Sequence, residues 1–240
     1  MSTTSEYYGS ALRRRAMIGE NPDYVHRSDL LFWLDGKIGN FSDKWVDLIS
    51  GYEFTNHGST FVGNGRAFDG VDDYLSCELP DTVIPSGFAG KSIEVVVKVN
   101  QDVATKYGVV LFTGYSHSAA FGWGLASNLI LQTSSTVWAA GKSNLVVGER
   151  KVITCVGNGT RSLCNGVVVT RNVGYTNNFS NQNSLRKTPD GTTYIGGFPD
   201  QSASFLDGEI YCIRLYNRGL TEAEIKHNHA IDIGRFAINV

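Results

Sequence analysis

The sequence predicts an all-β fold: a two-sheet antiparallel sandwich preceded by an N-terminal arm and ending in one short C-terminal helix. Three observations carry this. From Leu30 on, short apolar runs alternate with clusters of Gly, Asn and Asp, the spacing of strands joined by tight turns. Glycine outnumbers proline 27 to 5, which suits many turns and neither a disordered nor a collagen-like chain. A capped helical segment occurs near the C-terminus, after the last alternating run.

Taken in order, residues 1–28 form an arm. Within "ALRRRAMI", Leu12, Ala16 and Met17 fall on one side of a short helix, with Arg13, Arg14 and Arg15 beside them. Two readings stand: a segment docking on an acidic partner surface, or a frayed terminus. Residues 29–240 form the sandwich domain. "LLFWLDG" is an early strand, and "RAFDGVDDYLSC" reads as strand, turn, strand. "KSIEVVVKVN" alternates with Ile93, Val95, Val97 and Val99 on one face. "YGVVLFTG", "GWGLASNLILQT" and "TVWAAG" continue the pattern. Asn158-Gly159 and Asn165-Gly166 mark two hairpin turns, and "TTYIGGF" and "GEIYCIRLYN" supply the last strands. Thr221 followed by Glu224 is a capping box, Leu220 and Ile225 form a hydrophobic staple, and Gly234 is the expected stop.

Composition excludes several classes. At 240 residues the chain buries a substantial core without disulfides or metals. A formal charge of -2 gives no basic face for nucleic acid. Without a window of about 18 apolar residues, no membrane insertion is expected. The first residues lack the apolar core of a secretory signal, so synthesis in a cytoplasm is expected. The cysteines, Cys77, Cys155, Cys164 and Cys212, lack metal-binding spacing and read as buried thiols. One exception is Cys155 and Cys164, which a hairpin loop of Asn158 to Arg161 sets directly opposite, close enough for a disulfide that cytoplasmic synthesis disfavours.

The order of segments resembles the laminin-G-like members of the concanavalin A-like lectin and glucanase superfamily. The matching residues are Trp33-Leu34-Asp35, Phe68-Asp69-Gly70-Val71-Asp72-Asp73-Tyr74, and Ser92 to Lys98. Further along come Asn158-Gly159 to Asn165-Gly166, Tyr194-Ile195-Gly196-Gly197, and Leu206-Asp207-Gly208 through Ile225. The likeness spans roughly Leu30 to Ile233. It implies a jelly-roll sandwich whose members mostly bind carbohydrate or protein, while a minority hydrolyse glycans. Where the family has a pair of aspartates after Gly-x-Ile, this chain has Glu209-Ile210-Tyr211-Cys212.

Candidate chemistry follows. Glycoside hydrolysis needs paired carboxyls on one substrate. The E-x-D-x-E run of the glucanase branch is missing: Glu94 stands alone on its strand, and Asp207 with Glu209 lacks a third acid. With no G-x-S-x-G elbow and no H-E-x-x-H, the expectation is that the chain is not an enzyme. His227 and His229 read as solvated helix residues. Asp69, Asp72 and Asp73 are candidates for calcium, as some members of the resembled family hold it at the sandwich rim, although the bland alternative is a tight turn. No other cofactor is expected. Glycan recognition wants aromatic and planar polar side chains on loops over a rigid scaffold. The candidates are Tyr115, His117, Trp123 and Trp138, with Tyr175, Asn177, Asn178, Phe179 and Arg186 from the longest polar loop.

Together, a cytoplasmic start, a lectin-like sandwich and an arginine-bearing arm lead to an expected bacteriophage virion surface protein (fibre, spike or capsid). It would be a homo-oligomer that adheres to glycans and attaches to other virion proteins through the arm. The alternatives are a purely structural capsid or tail decoration protein, and a bacterial glycan-processing accessory module or hydrolase.

Overall fold

The structure is a computed structural model that describes residues 29–80, 83, 91–100, 108–113, 121–125, 128–134, 137–142, 146–156, 161–164, 167–169, 192–199 and 205–238. The arm expected over residues 1–28 lies outside them.

The strands, in chain order, are β1 (Leu30–Asp35), β2 (Lys44–Val46), β3 (Glu53–His57), β4 (Thr60–Phe61), β5 (Arg66–Asp69), β6 (Tyr74–Glu78), β7 (Ser92–Val99) and β8 (Gly108–Thr113). They continue with β9 (Phe121–Leu125), β10 (Asn128–Ser134), β11 (Val137–Lys142), β12 (Arg150–Val156), β13 (Arg161–Cys164), β14 (Val167–Val169), β15 (Thr192–Ile195) and β16 (Asp207–Tyr216). One helix, α1 (Glu222–Phe236), follows.

The strands make two antiparallel sheets. One has the order β14-β13-β12-β7-β16-β5-β4, with β1 also on β16; the other runs β11-β10-β9-β8-β15-β6-β3-β2. Among the described residues, one apolar cluster joins them. Ile93, Val95, Val97 and Val99 of β7 meet Phe54, Leu75, Leu111 and Ile195 of the opposite sheet. The period-2 reading of "KSIEVVVKVN" is therefore correct. β2, β3 and β4 were not expected, because "EFTNH" carries one buried apolar residue, Phe54, and so has no apolar alternation to detect.

β16 explains why alternation fails near Arg214. Its pairing with β7 shifts between Ile210 and Cys212, which leaves Tyr211 as the extra residue of a bulge. Ile210 and Ile213, three apart, thus both face the sandwich core, followed by Leu215. The Tyr211 carbonyl accepts the Gly36 N–H at 2.8 Å, so the bulge does not orphan that carbonyl.

Cys212, read as a buried thiol and a candidate for the core, is buried but not in this cluster. Instead it lies on the outer face of the sheet, in a second cluster with Trp33, Val96, Val152, Tyr211 and Tyr216. Leu220, Ile225, Phe236 and Ile238 close this cluster from α1 and its ends. The helix therefore covers a sheet face and not an end of the sandwich. Each such side chain contributes roughly 1.5–3 kcal/mol of burial. The capping box is present, with Thr221 Oγ1 accepting the Glu224 N–H and Glu224 accepting the Thr221 N–H. Gly234 does not stop the helix. α1 runs on to Phe236 and ends at Ala237 in the left-handed conformation, at φ 49°.

Two glycines of the recognised motifs are required where they stand. Gly196 has φ +82°, and a Cβ there would lie 2.1 Å from the Phe68 ring. Gly70 has φ +77° in the turn between β5 and β6. The β12–β13 register corrects the cysteine expectation. Cys155 pairs with Ser162 and Cys164 with Ile153, so the two are diagonal and not opposite.

Candidate functional site

Of the sequence-predicted glycan residues, Tyr115, His117, Tyr175, Asn177, Asn178, Phe179 and Arg186 lie outside the described residues, as do Leu12 and Arg13 to Arg15. Trp123 is on β9 and Trp138 on β11, not on loops. They pair with Leu131 and Gln132, neighbouring positions of β10 that the pleat assigns to opposite faces. The backbone does not bring these two tryptophan positions to one site.

The structure instead assembles a site on the outer face of the β6/β15 sheet. Phe54, Leu75 and Ile195 point into the core, so Thr55, His57, Tyr74, Ser76 and Tyr194 project outward. Register then brings them together: Thr55 opposite Ser76, His57 opposite Tyr74, and Tyr194 opposite Ser76 from the other side. The His57 and Tyr74 rings stack at 4.2 Å and 12°. Tyr194 follows at 6.0 Å from Tyr74, tilted by 59°, and buried Phe198 supports it edge-on at 5.4 Å. His57 Nε2 lies 2.9 Å from Ser76 Oγ. Partial burial lowers the imidazole pKa, which favours the neutral ring. The result is a half-exposed aromatic row beside hydroxyls, held by strands and not by loops. Tyr74 and Tyr194 were visible within the family motifs. His57 was missed because β3 gave no signal.

The acidic turn is held by its own hydrogen bonds. Asp69 Oδ1 accepts the N–H groups of Val71 at 2.8 Å and Asp72 at 3.3 Å, and Asp73 Oδ2 accepts the Asp69 N–H at 3.0 Å. The Val71 N–H holds the Asp69 carboxyl below its usual range, whereas burial and then the Asp69 charge push Asp73 up. The carboxylates of Asp69, Asp72 and Asp73 lie within 4.8 Å of one another. This hydrogen bonding accounts for the turn by itself.

Glu209 and Glu94 are engaged by partners of their own. Glu209 meets Lys98 Nζ at 2.7 Å and accepts a hydrogen bond from the Tyr211 hydroxyl. Glu94 is fully buried under α1, where Arg214 Nε donates at 3.0 Å and Asn228 Nδ2 at 2.8 Å. Arg214 also forks onto Asp232. His229, expected to be solvated, is half-buried, and burial lowers its pKa.

The sandwich with an appended helix defines the class of fold, and comparison with solved structures agrees. A Trypanosoma rangeli sialidase matches over 93% of this chain and 38% of its own, at 14% identity and TM-score 0.63. The same enzyme in complex with 2,3-difluorosialic acid gives a TM-score of 0.67. The receptor-binding domain of botulinum neurotoxin D matches over 89% of this chain and 54% of its own, at 12% identity and TM-score 0.63. No protein-family model matches the chain, and no curated protein matches it by sequence. This chain thus spans 38% of the sialidase and 54% of the toxin domain. The likeness is one of fold, and it bears on the sandwich, not on the laminin-G-like assignment or a virion. It does correct one expectation: sialidases contain this fold, so the exclusion of an enzymatic role does not stand.

Proposed function

We propose that this chain is a glycan-recognition sandwich belonging to a glycan-processing protein, with its sugar site on the outer face of β3, β6 and β15. The observation that carries this is the aromatic row of His57, Tyr74 and Tyr194 beside Ser76 and Thr55. Aromatic faces receive the C–H face of a sugar ring, and adjacent hydroxyls and an imidazole pair with its hydroxyls. Fold likeness to sialidases and to a toxin receptor-binding domain supports the accessory reading over a virion adhesin, for which those likenesses offer nothing.

A glycan array probed with the full chain and with Tyr74→Ala tests the proposal. Binding to a defined glycan class that the variant loses is expected. Binding that survives Tyr74→Ala undiminished would overturn it.

A further inference from the structure

We propose that this face takes an uncharged pyranose, a neutral hexose or N-acetylhexosamine, and rejects sialic acid and other carboxylate sugars. The inference rests on the glycan reading above and specifies its ligand.

Recognising a sugar carboxylate in this setting calls for a cation, best an arginine fork that pairs with both oxygens. Among the described residues of β2, β3, β6 and β15, the cation is Lys44, and its Nζ already lies 2.9 Å from Glu53. The carboxylates of those strands are Glu53 and Glu78, both exposed. The turn leading into Tyr74 adds Asp69, Asp72 and Asp73. A second carboxylate brought to this face meets like charge.

The arginines whose side chains are described are committed elsewhere. Arg66 is held by Asn40, Ser59 and the Phe41 carbonyl. Arg214 is buried between Glu94 and Asp232. Arg150 donates to the Phe236 carbonyl, Arg218 pairs with Glu224, and Arg235 pairs with Asp35.

What the face does offer suits a neutral ring. The stacked His57–Tyr74 pair gives one broad π surface and Tyr194 gives a second, tilted wall. Ser76 Oγ is engaged by His57 Nε2, yet a hydroxyl has one donor and two acceptor positions, so it retains capacity for a sugar hydroxyl. Exposed Thr55, opposite Ser76, supplies another.

The test is calorimetric titration of the full chain with N-acetyllactosamine, chitobiose and mannobiose, beside sialyl-N-acetyllactosamine and a glucuronic-acid disaccharide. At least one neutral probe is expected to bind with an affinity unchanged between low and high salt, since no ion pair forms. Tyr74→Ala and His57→Ala should each weaken it about tenfold, or about 1.4 kcal/mol. His57 ends an edge-side strand and is half-exposed, so this variant keeps the test valid if Tyr74→Ala misfolds by circular dichroism. Tighter binding of the acidic probes would overturn the inference and leave the glycan reading standing. Neutral binding that neither variant weakens, or no binding of any probe, would overturn both.

Discussion

Arg214 Nε donates to Glu94 Oε2 at 3.0 Å, and both side chains are fully buried between the β7/β16 sheet and α1. Asp232 of α1 takes the other side of the guanidinium. Two carboxylates thus share one cation, and neutral donors from Asn228 and Tyr216 complete Glu94. This constellation fastens the helix to the sheet.

Removing the shared cation leaves both carboxylates buried and uncompensated. Arg214→Met is expected to cost about 3–5 kcal/mol, read as a lower urea midpoint. Glu94→Gln should cost much less, because it leaves Arg214 and Asp232 as a balanced pair and keeps an acceptor for Asn228.

Burial raises the Glu94 pKa above its ordinary value. The native state therefore binds this proton more tightly than the unfolded chain, whose glutamate titrates near 4.5. The stability from the protonated group is fully present below that pH and lost as pH rises through the raised native pKa. Glu94→Gln should flatten that part of a stability-against-pH curve.

Glu224 behaves oppositely. Hydrogen bonding to Arg218 first, and to Thr221, holds its pKa down to about 2. Its contribution is present above 4.5 and disappears as pH falls toward 2. Thr221→Ala removes the cap acceptor and should cost about 1 kcal/mol in thermal or urea unfolding.

Gly196→Ala meets both a left-handed backbone and the Phe68 ring, and should cost roughly 2–5 kcal/mol. Gly63→Ala, at φ +65° with nothing within 4 Å of the added Cβ, should cost about 1–2 kcal/mol, from the backbone alone.

Diagonal strand neighbours lie about 7–8 Å apart, beyond the usual 4.4–6.8 Å span of a disulfide. Cys155 and Cys164 should both alkylate in unfolded, non-reduced protein, as read by mass spectrometry.

The sandwich was legible because Ile93, Val95, Val97 and Val99 alternate cleanly and because Thr221 and Glu224 announce the helix. The second cluster under α1 was not. A bulge at Tyr211 reverses which residues face inward, and such an insertion leaves no mark in composition. The candidate site was hidden for a related reason. His57 reaches Tyr74 and Ser76 by strand register, across 17 and 19 residues of chain, whereas aromatic residues in polar loops attract notice singly. Trp123 and Trp138 were offered as loop residues but belong to β9 and β11, in agreement with the strand reading of "GWGLASNLILQT" and "TVWAAG".

The central claim is that sugar lies on His57, Tyr74 and Tyr194. The most direct measurement is titration of the best array ligand while following the His57 and tyrosine ring resonances by NMR. Shifts concentrated on His57, Tyr74 and Tyr194 are predicted, with the Trp33 and Trp45 indoles of the buried clusters unmoved. Saturable shifts that spare all three rings and appear elsewhere in the chain would contradict it.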